Sequence, residues 1–414
     1  MTLIPSATPA PVTPGLKGIK FIEELDIKEK RVFLRLDLNV PLKNGKITDD
    51  TRIREAIPTI QYCLDNKCKL MIASHLGRPE GFDKKYSLEP VAERLHELLN
   101  AEIHLIEDPA SDAPKALMKT LRPNQIVLLE NVRYIPGEQK NDEKFAVKLA
   151  QYADVYINDA FGASHRAHST IDALPKLIKT KGVGFLMKKE IEMLDKVLYH
   201  YESPFIAILG GSKVSDKIGV LDALIDRVDT FIIGGAMAYT FMAALKQGVG
   251  NSRIEQDKVS YAKRFMEKVE ARDKKVLLPI DHVCSKNFEN PIPQVVGTPD
   301  IPDGLMALDI GEKSRRLFAA EIAKGKTVFW NGPMGVFEKK GFERGTMGIA
   351  KAVSECEGFT VVGGGDSVSA LNESGYADKV GHISTGGGAS LEYLQGDKLA
   401  GLEVLRTRIR EPSP

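Results

Sequence analysis

One short loop in the second half of the chain has the residue types that hold phosphate. Two valines lead into Gly363, Gly364 and Gly365, and Asp366 then opens a segment with helical character. Glycines let backbone N–H groups approach an anion closely, and a helix N-terminus attracts negative charge, so the pattern predicts a phosphate-binding loop. Asp366 has the chemistry to carry a divalent cation to those phosphates. In isolation the same three glycines are equally typical of an ordinary turn.

A second glycine-rich loop runs Gly210-Gly211-Ser212-Lys213, after an apolar run and before an amphipathic pattern. We expect Lys213 and Lys217 to lie on one face of the first turn of the following helix. Cations there oppose the helix dipole, so an anionic ligand explains the pair better than a structural role does. A pair of solvated lysines is the alternative.

The two halves of the chain differ in the residues that come directly after their apolar runs. In the first half the residues at these points are Asp37, Asn39, Ser74, His75, Gly77, Arg78, Glu130, Asn131, Arg133, Asn158, Asp159, His165, Arg166 and His168. Arginine and histidine donate directional, charge-assisted hydrogen bonds to a small polyanion. In the second half these points are mostly glycine, which allows backbone approach to the phosphates of a nucleotide. The sequence therefore predicts two different ligands.

Short apolar runs alternate with longer amphipathic ones along the whole chain. The apolar runs are 32–36, 69–73, 126–129 and 155–157, then 205–209, 230–233, 276–280, 327–330, 359–362 and 380–384. Residues 88–100 and 142–153 show helical spacing. Continuous apolar strands separated by helices indicate parallel sheets covered on both faces. We predict an α/β fold with two doubly wound, Rossmann-like domains facing a cleft, and ligands beyond the carboxyl ends of the strands.

The predicted domain organisation follows the same alternation. Residues 1–18 form a disordered, proline-rich extension, 19–184 an N-terminal domain and 202–400 a C-terminal domain. Residues 185–201 have apolar side chains at helical spacing without an internal glycine or proline, so we expect a helix that joins the domains and serves in a hinge. Residues 401–414 form a terminal segment.

Composition excludes several classes of protein. The 414 residues are 43% hydrophobic, and 57 basic against 56 acidic residues leave a net charge of +1, which gives no general attraction for nucleic acid or an anionic membrane. The four cysteines show no CxxC pair, so we expect neither a disulfide framework nor a zinc site, and a reducing, cytoplasmic setting. We find no secretory signal and no apolar run long enough to span a membrane, and expect a soluble protein.

Two common nucleotide-binding motifs are missing. Gly325-Lys326-Thr327 lacks the upstream glycine of a Walker loop, and Gly182 and Gly184 have no third glycine to complete GxGxxG. Both absences count against P-loop NTPases and common dehydrogenases. His165 and His168 have the spacing of metal ligands but no nearby carboxylate, so a phosphate or carboxylate partner is the better interpretation.

Taken in order, nine motifs between about Arg31 and about Gly396 closely resemble those of the phosphoglycerate kinase family. They are Arg35-Leu36-Asp37-Leu38-Asn39-Val40-Pro41-Leu42, Thr51-Arg52-Ile53-Arg54, Ser74-His75-Leu76-Gly77-Arg78-Pro79, Leu129-Glu130-Asn131-Val132-Arg133, Asn158-Asp159-Ala160-Phe161-Gly162 with His165-Arg166-Ala167-His168, Leu209-Gly210-Gly211-Ser212-Lys213, Asn331-Gly332-Pro333-Met334-Gly335-Val336-Phe337-Glu338, Gly363-Gly364-Gly365-Asp366-Ser367 and Ser384-Thr385-Gly386-Gly387-Gly388-Ala389-Ser390. Each motif alone is moderately specific, but nine in one order leave little room for coincidence.

The resemblance implies reversible transfer of the acyl phosphate of 1,3-bisphosphoglycerate to MgADP, which gives 3-phosphoglycerate and MgATP. It implies that the three-carbon substrate is held by Asp37, Asn39, Arg52, His75, Arg78, Arg133 and Arg166. Arg52 and Lys213 would be catalytic, with Lys213 following the transferring phosphoryl group. Glycolysis and gluconeogenesis are the pathways implied.

The resemblance also implies a nucleotide site for ADP or ATP in the second half. Its residues would be Gly211, Lys213, Lys217, Gly235, Asn331, Glu338, Gly363, Gly364, Gly365, Asp366 and Ser367, with Glu338 at the ribose and Asp366 at Mg²⁺. Gly386, Gly387 and Gly388 would form a loop that acts on closure. Family members bend about the interdomain region, and their C-terminal segment, here 402–414, returns to the first domain. A monomer that binds neither nucleic acid nor membrane is expected.

Small departures and two rival functions complete the prediction. Ser164, Ser212 and Ser367 replace alanine, alanine and threonine of many members, and all are small enough to keep the backbone geometry. An NAD-dependent oxidoreductase is the rival enzyme, which the missing GxGxxG and the surplus of anion-binding arginines disfavour. A nucleotide-binding module without activity is the second rival, and it predicts gaps among Arg52, Lys213 and Asp366 that are not seen.

Overall fold

A computed structural model describes residues 14–407 of the chain. The described residues form two compact units, one of residues 14–195 with 398–407 and the other of residues 196–397. Each unit contains a six-stranded parallel sheet with helices, so the predicted α/β class with two doubly wound domains is confirmed. No helix within residues 14–407 combines the length and the apolar character that a bilayer crossing needs.

The sheet of the first unit has the strand order β5-β6-β4-β1-β7-β8. The strands of this unit are β1 Arg31–Leu36, β2 Leu42–Lys43, β3 Lys46–Ile47, β4 Lys69–Ala73, β5 Glu102–Ile106, β6 Gln125–Leu129, β7 Val155–Asp159 and β8 Thr180–Val183. The four central strands are buried almost throughout, because helices cover both faces of the sheet. The carboxyl ends of β6, β4, β1 and β7 therefore lie side by side.

The helices of the first unit carry the loops that follow these strands. They are α1 Thr51–Asp65, α2 Glu89–Leu99, α3 Ala113–Thr120, α4 Pro136–Gln139, α5 Glu143–Ala150, α6 Leu174–Leu177, α7 Phe185–Tyr199 and, near the C-terminus, α15 Ala400–Glu403. The side chain of Asp159, at the end of β7, accepts a hydrogen bond of 2.8 Å from the backbone N–H of Met187 and so caps the start of α7. The boundary between the two units falls inside α7, between Asp195 and Lys196.

The second unit has its own parallel sheet, in the order β11-β10-β9-β15-β16-β17. Its strands are β9 Phe205–Leu209, β10 Thr230–Ile233, β11 Lys275–Leu277, β12 His282–Ser285, β13 Gln294–Val296, β14 Met306–Ile310, β15 Thr327–Asn331, β16 Phe359–Gly363 and β17 His382–Ile383. Its helices are α8 Ile218–Leu224, α9 Met237–Ala244, α10 Val259–Glu270, α11 Glu312–Ile322, α12 Arg344–Ser354, α13 Gly365–Ser374 and α14 Gly388–Gln395. Trp330 of β15 is fully buried in the core.

One element of the second unit was not predicted. Strands β13, β12 and β14 form a separate three-stranded antiparallel sheet. Strand β13 has three residues and is mostly exposed, while His282 and Ser285 in β12 and Asp309 in β14 interrupt the apolar pattern, so these strands lack the continuous apolar runs that mark the buried parallel strands. The first unit also has two parallel strands, β5 and β8, that the apolar runs do not mark.

Several predicted bounds were too generous. The joining helix ends at Tyr199 rather than residue 201, and helices predicted at 88–100 and 142–153 run over α2 and α5 only. The strand predicted at 276–280 ends at Leu277, two residues before Pro279, which has no N–H to contribute to the sheet. The run 380–384 forms only the two-residue strand β17.

The described part of the predicted N-terminal extension is folded onto the first unit. Leu16 is buried, and the backbone N–H of Gly15 donates a hydrogen bond of 2.8 Å to Asp195. For residues 14–18 the prediction of disorder is therefore wrong, and residues 1–13 and 408–414 lie outside the described residues. The C-terminal segment packs on the same unit, since the N–H of Thr407 donates to the carbonyl of Gly18 at 2.7 Å.

Candidate active site

Basic side chains converge where β6, β4, β1 and β7 of the first unit end. All seven residues predicted for the three-carbon substrate follow these strands or open the helix after β1: Asp37, Asn39, Arg52, His75, Arg78, Arg133 and Arg166. Because these parallel strands are neighbours, their following loops meet at one edge of the sheet.

Asp37 and Arg52 form the most direct ion pair of this edge. Nη1 of Arg52 lies 2.7 Å from Oδ2 of Asp37, whose side chain is 8% exposed while that of Arg52 is 30% exposed. Burial by itself would raise the pKa of Asp37, but Arg52, His75 and Arg35 lower it to about 2. The carboxylate is therefore ionised at neutral pH and keeps the Arg52 guanidinium at the mouth of the site.

The loop around Gly77 is held from both sides. Its N–H donates to Oδ1 of Asn39 at 2.8 Å, and its carbonyl accepts a hydrogen bond of 2.5 Å from Nη1 of Arg133. Asn39 and Arg133 thus fix the backbone that leads to Arg78, which is exposed and has no partner among residues 14–407. This side chain is available for a ligand.

Positive charge in this cluster is only partly compensated. Burial and then the charges of Arg166 and Arg35 lower the pKa of Arg133 to about 10, which leaves it charged at neutral pH. Burial followed by Arg133, Arg35 and Arg166 lowers the pKa of His168 to about 4. Arg133 therefore keeps its charge although Arg35 and Arg166 lie close enough to disfavour it, and such a cluster is suited to an anion.

Two buried residues of this cluster were missed by the sequence analysis. Arg35 of β1 is 1% exposed, and its Nε donates to Oγ1 of Thr170 at 2.8 Å, with Nη2 at 3.4 Å from Nδ1 of His75. Glu138 is fully buried, 4.0 Å from Arg35, and accepts hydrogen bonds from the N–H and hydroxyl of Thr170 at 2.9 and 2.6 Å. The only signal was an arginine inside an otherwise apolar strand.

The second unit contains a cavity of about 540 Å³ at the carboxyl ends of its strands. Of the predicted nucleotide residues, four line it: Gly211, Gly235, Glu338 and Asp366. Its walls are largely apolar and come from β14, the loop after β15 and α9, with Met306, Leu308, Val336, Ala236 and Tyr239 among them. Asn251, Arg253 and Phe288 also line it and were not predicted, because their loops carry no motif.

Close approach between two loops requires glycine at the mouth of this cavity. The N–H groups of Gly211 and Gly235 donate to carbonyls of the loop after β15, those of Pro333 and Met334. Gly235 has φ +65°, and a Cβ there would lie 2.5 Å from the backbone N of Gly211. A side chain at this position would therefore separate the loops that form the wall.

The predicted arrangement of Lys213 and Lys217 is wrong. Helix α8 begins at Ile218, so both lysines precede it, and Lys213 is exposed while Lys217 is buried. Nζ of Lys217 donates to Oδ1 of Asn331, and burial lowers its pKa to about 8 although Asp216 and Asp366 act in the opposite direction. Lys213 is therefore the lysine that can move with a ligand.

Strand β16, Gly364 and helix α13 form the strand-loop-helix unit that the sequence predicted. Gly364 has φ +91°, and a Cβ there would lie 2.8 Å from Nδ2 of Asn331. That Nδ2 is buried and has no acceptor within the described residues. Ser367 is buried and accepts a hydrogen bond of 2.6 Å from the N–H of Gly332. An unsatisfied donor beside a glycine loop and a helix N-terminus is suited to a phosphate oxygen.

The remaining predicted loop, Gly386 to Gly388, leads from β17 into α14. Gly388 is the first residue of the helix, and the N–H of Gly386 donates to Oγ of Ser384 at 3.3 Å. None of these three glycines lines the cavity of about 540 Å³. Their assignment to closure stays a prediction.

Metal ligands are sparse across residues 14–407, where no group of three or more histidine, cysteine or acidic side chains has the arrangement of a metal site. Asp366 is a single exposed carboxylate in the first turn of α13, beside the cavity. One carboxylate together with the phosphates of a ligand is a donor set that suits Mg²⁺. Asp366 therefore fits an ion that arrives with a nucleotide.

Comparison with known proteins gives one consistent result. The family model described as Phosphoglycerate kinase matches residues 22–397. A phosphoglycerate kinase of Bdellovibrio bacteriovorus is 56% identical over 398 residues, 96% of this chain and 99% of the relative. One of Anaeromyxobacter dehalogenans strain 2CP-C is 50% identical over 392 residues, 94% of this chain and 99% of the relative.

Solved structures agree with the sequence relatives. Phosphoglycerate kinase from Coxiella burnetii superposes with a TM-score of 0.83 at 38% identity and covers 94% of this chain and 98% of its own. The enzyme from Pyrococcus horikoshii OT3 gives a TM-score of 0.81 at 30% identity, with 93% and 98% covered. By sequence and by fold, this chain belongs to the phosphoglycerate kinase family.

Proposed function

We propose that this chain is a glycolytic phosphoglycerate kinase, which transfers the acyl phosphate of 1,3-bisphosphoglycerate to ADP and gives 3-phosphoglycerate and ATP, reversibly. The observation that carries the proposal is the presence, on one chain of this family, of a cationic cluster for a small polyanion and a glycine-lined cavity of about 540 Å³. The same enzyme serves gluconeogenesis when the reaction runs in reverse.

The three-carbon substrate binds the first unit. Its phosphate and carboxylate meet Arg78, Arg133 and Arg166, whose guanidinium groups donate paired hydrogen bonds to such anions. His75 contributes as a neutral donor, because burial lowers its pKa well below the ordinary value. Asp37 and Asn39 act through the groups they hold, Arg52 and the Gly77 loop respectively.

The nucleotide binds the second unit. Its base and ribose occupy the apolar cavity, with Glu338 on the ribose, and Gly211 and Gly235 allow backbone approach. Its phosphates extend toward Gly363, Gly364 and Gly365, where Lys217, Asn331 and the N-terminus of α13 supply donors. Ser367 sets the position of the neighbouring loop through Gly332.

Magnesium belongs to this site as the partner of the nucleotide. Asp366 would hold it, and the ion supplies positive charge that offsets the charge of the phosphates. The pKa of Lys217, lowered to about 8 by burial, would rise when phosphates bind beside it. Through the charges of the magnesium ion and of Lys217, the affinity for the nucleotide would depend on the negative charge of its phosphates.

Transfer itself asks the protein for position and charge. Phosphoryl transfer proceeds in line, with charge spread over the equatorial oxygens, and needs little covalent chemistry from side chains. Arg52 and the exposed Lys213 are the cations proposed to follow those oxygens. No general base is needed, since the attacking oxygen of ADP is already anionic.

Productive transfer also requires that water be excluded, because the acyl phosphate hydrolyses readily when water reaches it. Each unit holds one substrate, so we propose that hinge motion at α7 and the loop Gly386 to Gly388 brings the substrates together. We further propose a monomer in the cytoplasm, a compartment that suits its four free cysteines. No role is proposed for nucleic acid or membranes.

A coupled assay tests the proposed reaction directly. The chain is given 3-phosphoglycerate and MgATP, and formation of 1,3-bisphosphoglycerate is followed through a dehydrogenase that consumes it. We expect turnover that stops when EDTA removes the divalent ion and returns when magnesium is restored. Absence of turnover in folded protein would reject the proposal, and NADH binding without turnover would favour an oxidoreductase.

A further inference from the structure

The second unit has a second cavity that the kinase reaction does not use. It measures about 620 Å³, and its lining includes Val283, Val295, Ile310, Lys313, Arg315 and Arg344. None of the residues assigned to the nucleotide or to the three-carbon substrate contributes to it. It lies on the unpredicted antiparallel sheet and the starts of α11 and α12.

The floor of this cavity is apolar and open. Val283 of β12 and Val295 of β13 are directly paired across the strands, so both side chains point to the same face of the sheet. Their neighbours Cys284 and Val296 point to the opposite face and are buried in a core cluster with Tyr239. Val295 is 73% exposed, so the outer face accepts an apolar group without rearrangement.

The rim of the cavity has four cationic and two acidic side chains, and both acidic side chains already have partners in the protein. Asp281 accepts hydrogen bonds from the N–H groups of Lys313 and Ser314 at 2.9 and 2.7 Å, so it satisfies the start of α11. Glu312 pairs with Arg316. The N–H groups at the start of α11 are therefore already hydrogen-bonded and are not the donors that would bind an anion here.

Two arginines of the lining have no salt bridge among residues 14–407, although the charge of Arg315 also acts on the buried Asp309. Arg344 is exposed and has no hydrogen-bond or ion-pair partner among residues 14–407. Nε of Arg315 is buried and has no acceptor there either. The Arg315 side chain lies against Gly348 of α12, where an added Cβ would be 3.1 Å from its Cδ. A buried N–H without an acceptor is unusual, and a ligand oxygen would satisfy it.

We propose that this cavity binds a small organic phosphate with an apolar body. The guanidinium groups of Arg315 and Arg344 would hold the phosphate, since this group matches their planar donors. The apolar body would lie on Val283 and Val295. The volume is within the range of roughly 300–1,000 Å³ that small-molecule sites occupy.

The test uses the full-length enzyme with both proposed substrate sites filled. The protein is saturated with 3-phosphoglycerate and MgADP, which do not react with each other, and phenyl phosphate is titrated by calorimetry. We expect one further binding event per chain, tighter for phenyl phosphate than for inorganic phosphate because of the apolar floor. Arg315→Gln and Arg344→Ala should each weaken it about tenfold or more, the range expected for a charge-assisted hydrogen bond.

Control variants make the result decisive. Lys340→Ala removes an exposed cation that does not line the cavity, and should change the affinity by less than about twofold. Val295→Glu places a negative charge on the exposed floor and should abolish binding. This variant still tests the proposal if Arg315→Gln fails to fold. All folded variants should keep wild-type kcat. The proposal is overturned if no further binding appears, if Lys340→Ala weakens it as much as Arg344→Ala, or if Arg344→Ala and Val295→Glu bind like the wild type.

Discussion

At the scale of single residues, the cations of the candidate site differ in how firmly the protein holds their side chains. Arg133 and Lys217 are buried and fixed by hydrogen bonds to Gly77 and Asn331, so they can only receive a ligand. Lys213 is exposed in a loop and has no such anchor among residues 14–407. Charge that must follow a moving phosphoryl group has to come from the second kind of residue.

Replacing Lys213 tests that distinction. We expect Lys213→Ala to lower kcat roughly 100-fold or more, because the variant loses a cation proposed to stabilise charge in the transition state, with nucleotide affinity nearly unchanged. Steady-state assays give kcat, and calorimetry gives the ADP affinity. Lys340→Ala serves as the control, because it removes an exposed lysine outside the cavity. Turnover near that of the wild type would remove Lys213 from the mechanism.

Arg52 allows a second test at the same scale. We expect Arg52→Ala to lower kcat more than it weakens 3-phosphoglycerate binding, because a group that acts in the transition state affects rate beyond affinity. The pKa of Asp37 should rise from about 2 in this variant, since Arg52 is the main cause that lowers it. NMR titration of the carboxyl measures the pKa. Equal losses of rate and affinity would make Arg52 a binding residue only.

His168 makes stability depend on pH in a predictable direction. Its pKa is about 4 in the folded protein and about 6.5 when unfolded, so between these values the unfolded state binds more protons. Stability from the neutral, buried ring is therefore present above pH 6.5 and lost as pH falls toward 4, by on the order of 3 kcal/mol.

Comparing wild type with His168→Gln isolates this effect. Asp159 and Asp309 have pKa values raised by burial to about 7, and they act in the opposite direction over the same range. Urea unfolding at a series of pH values should show that the free-energy difference between the two proteins shrinks as the pH falls from 6.5 to 4. A difference independent of pH would mean that the ring titrates normally in the fold.

The sequence was sufficient to predict which residues come together at the candidate site, but not how deeply they are buried or which partners they bind. Asp37, His75 and Arg133 follow apolar strands, and parallel topology alone places them at one edge. Arg35 and Glu138 were missed because the sequence does not show which charged side chains of a strand or helix face the interior. The predicted pairing of Lys213 with Lys217 failed because it assumed that a helix begins several residues before α8 does.

At the scale of elements, the glycine loop between β16 and α13 joins sheet to helix at the proposed nucleotide site. Its shape depends on Gly364, which alone of its three glycines has positive φ. Parallel strands buried on both faces were easy to recognise, since they form unbroken apolar runs. Strands β5 and β12 to β14 were not, because their residues are half-exposed or belong to short antiparallel pairs.

Two neighbouring glycines give a matched test of this loop. We expect Gly364→Ala to destabilise the protein by roughly 1–3 kcal/mol, because φ is +91° and the new Cβ meets Asn331 at 2.8 Å. Gly365→Ala is the control, since a Cβ there meets nothing within 4 Å in the described part of the chain, and alanine favours the first turn of α13. Denaturant unfolding measures both, and equal stability of the two variants would contradict this account.

At the scale of the whole molecule, the chain consists of two units joined by α7, and each unit is proposed to hold one substrate. The sequence predicted this division from a single uninterrupted helical pattern between two sets of strands. The hydrogen bond from the N–H of Thr407 to the carbonyl of Gly18 places the C-terminal segment on the first unit. The residue pattern could not predict this placement, because it depends on contacts between residues far apart in the sequence. That implication came only from the resemblance to the family.

The division of substrates between units makes closure a measurable event. Because transfer needs the acyl phosphate and ADP in line and away from water, we expect the radius of gyration to fall only when both substrates are bound. Small-angle scattering of the enzyme with 3-phosphoglycerate and MgADP should show this, and either ligand alone should produce little change. Arg52→Ala is the informative variant, since it removes a proposed contact to the transferring group while leaving α7 intact. If the wild type shows no compaction with both ligands, the proposed hinge motion is wrong, even if turnover is normal.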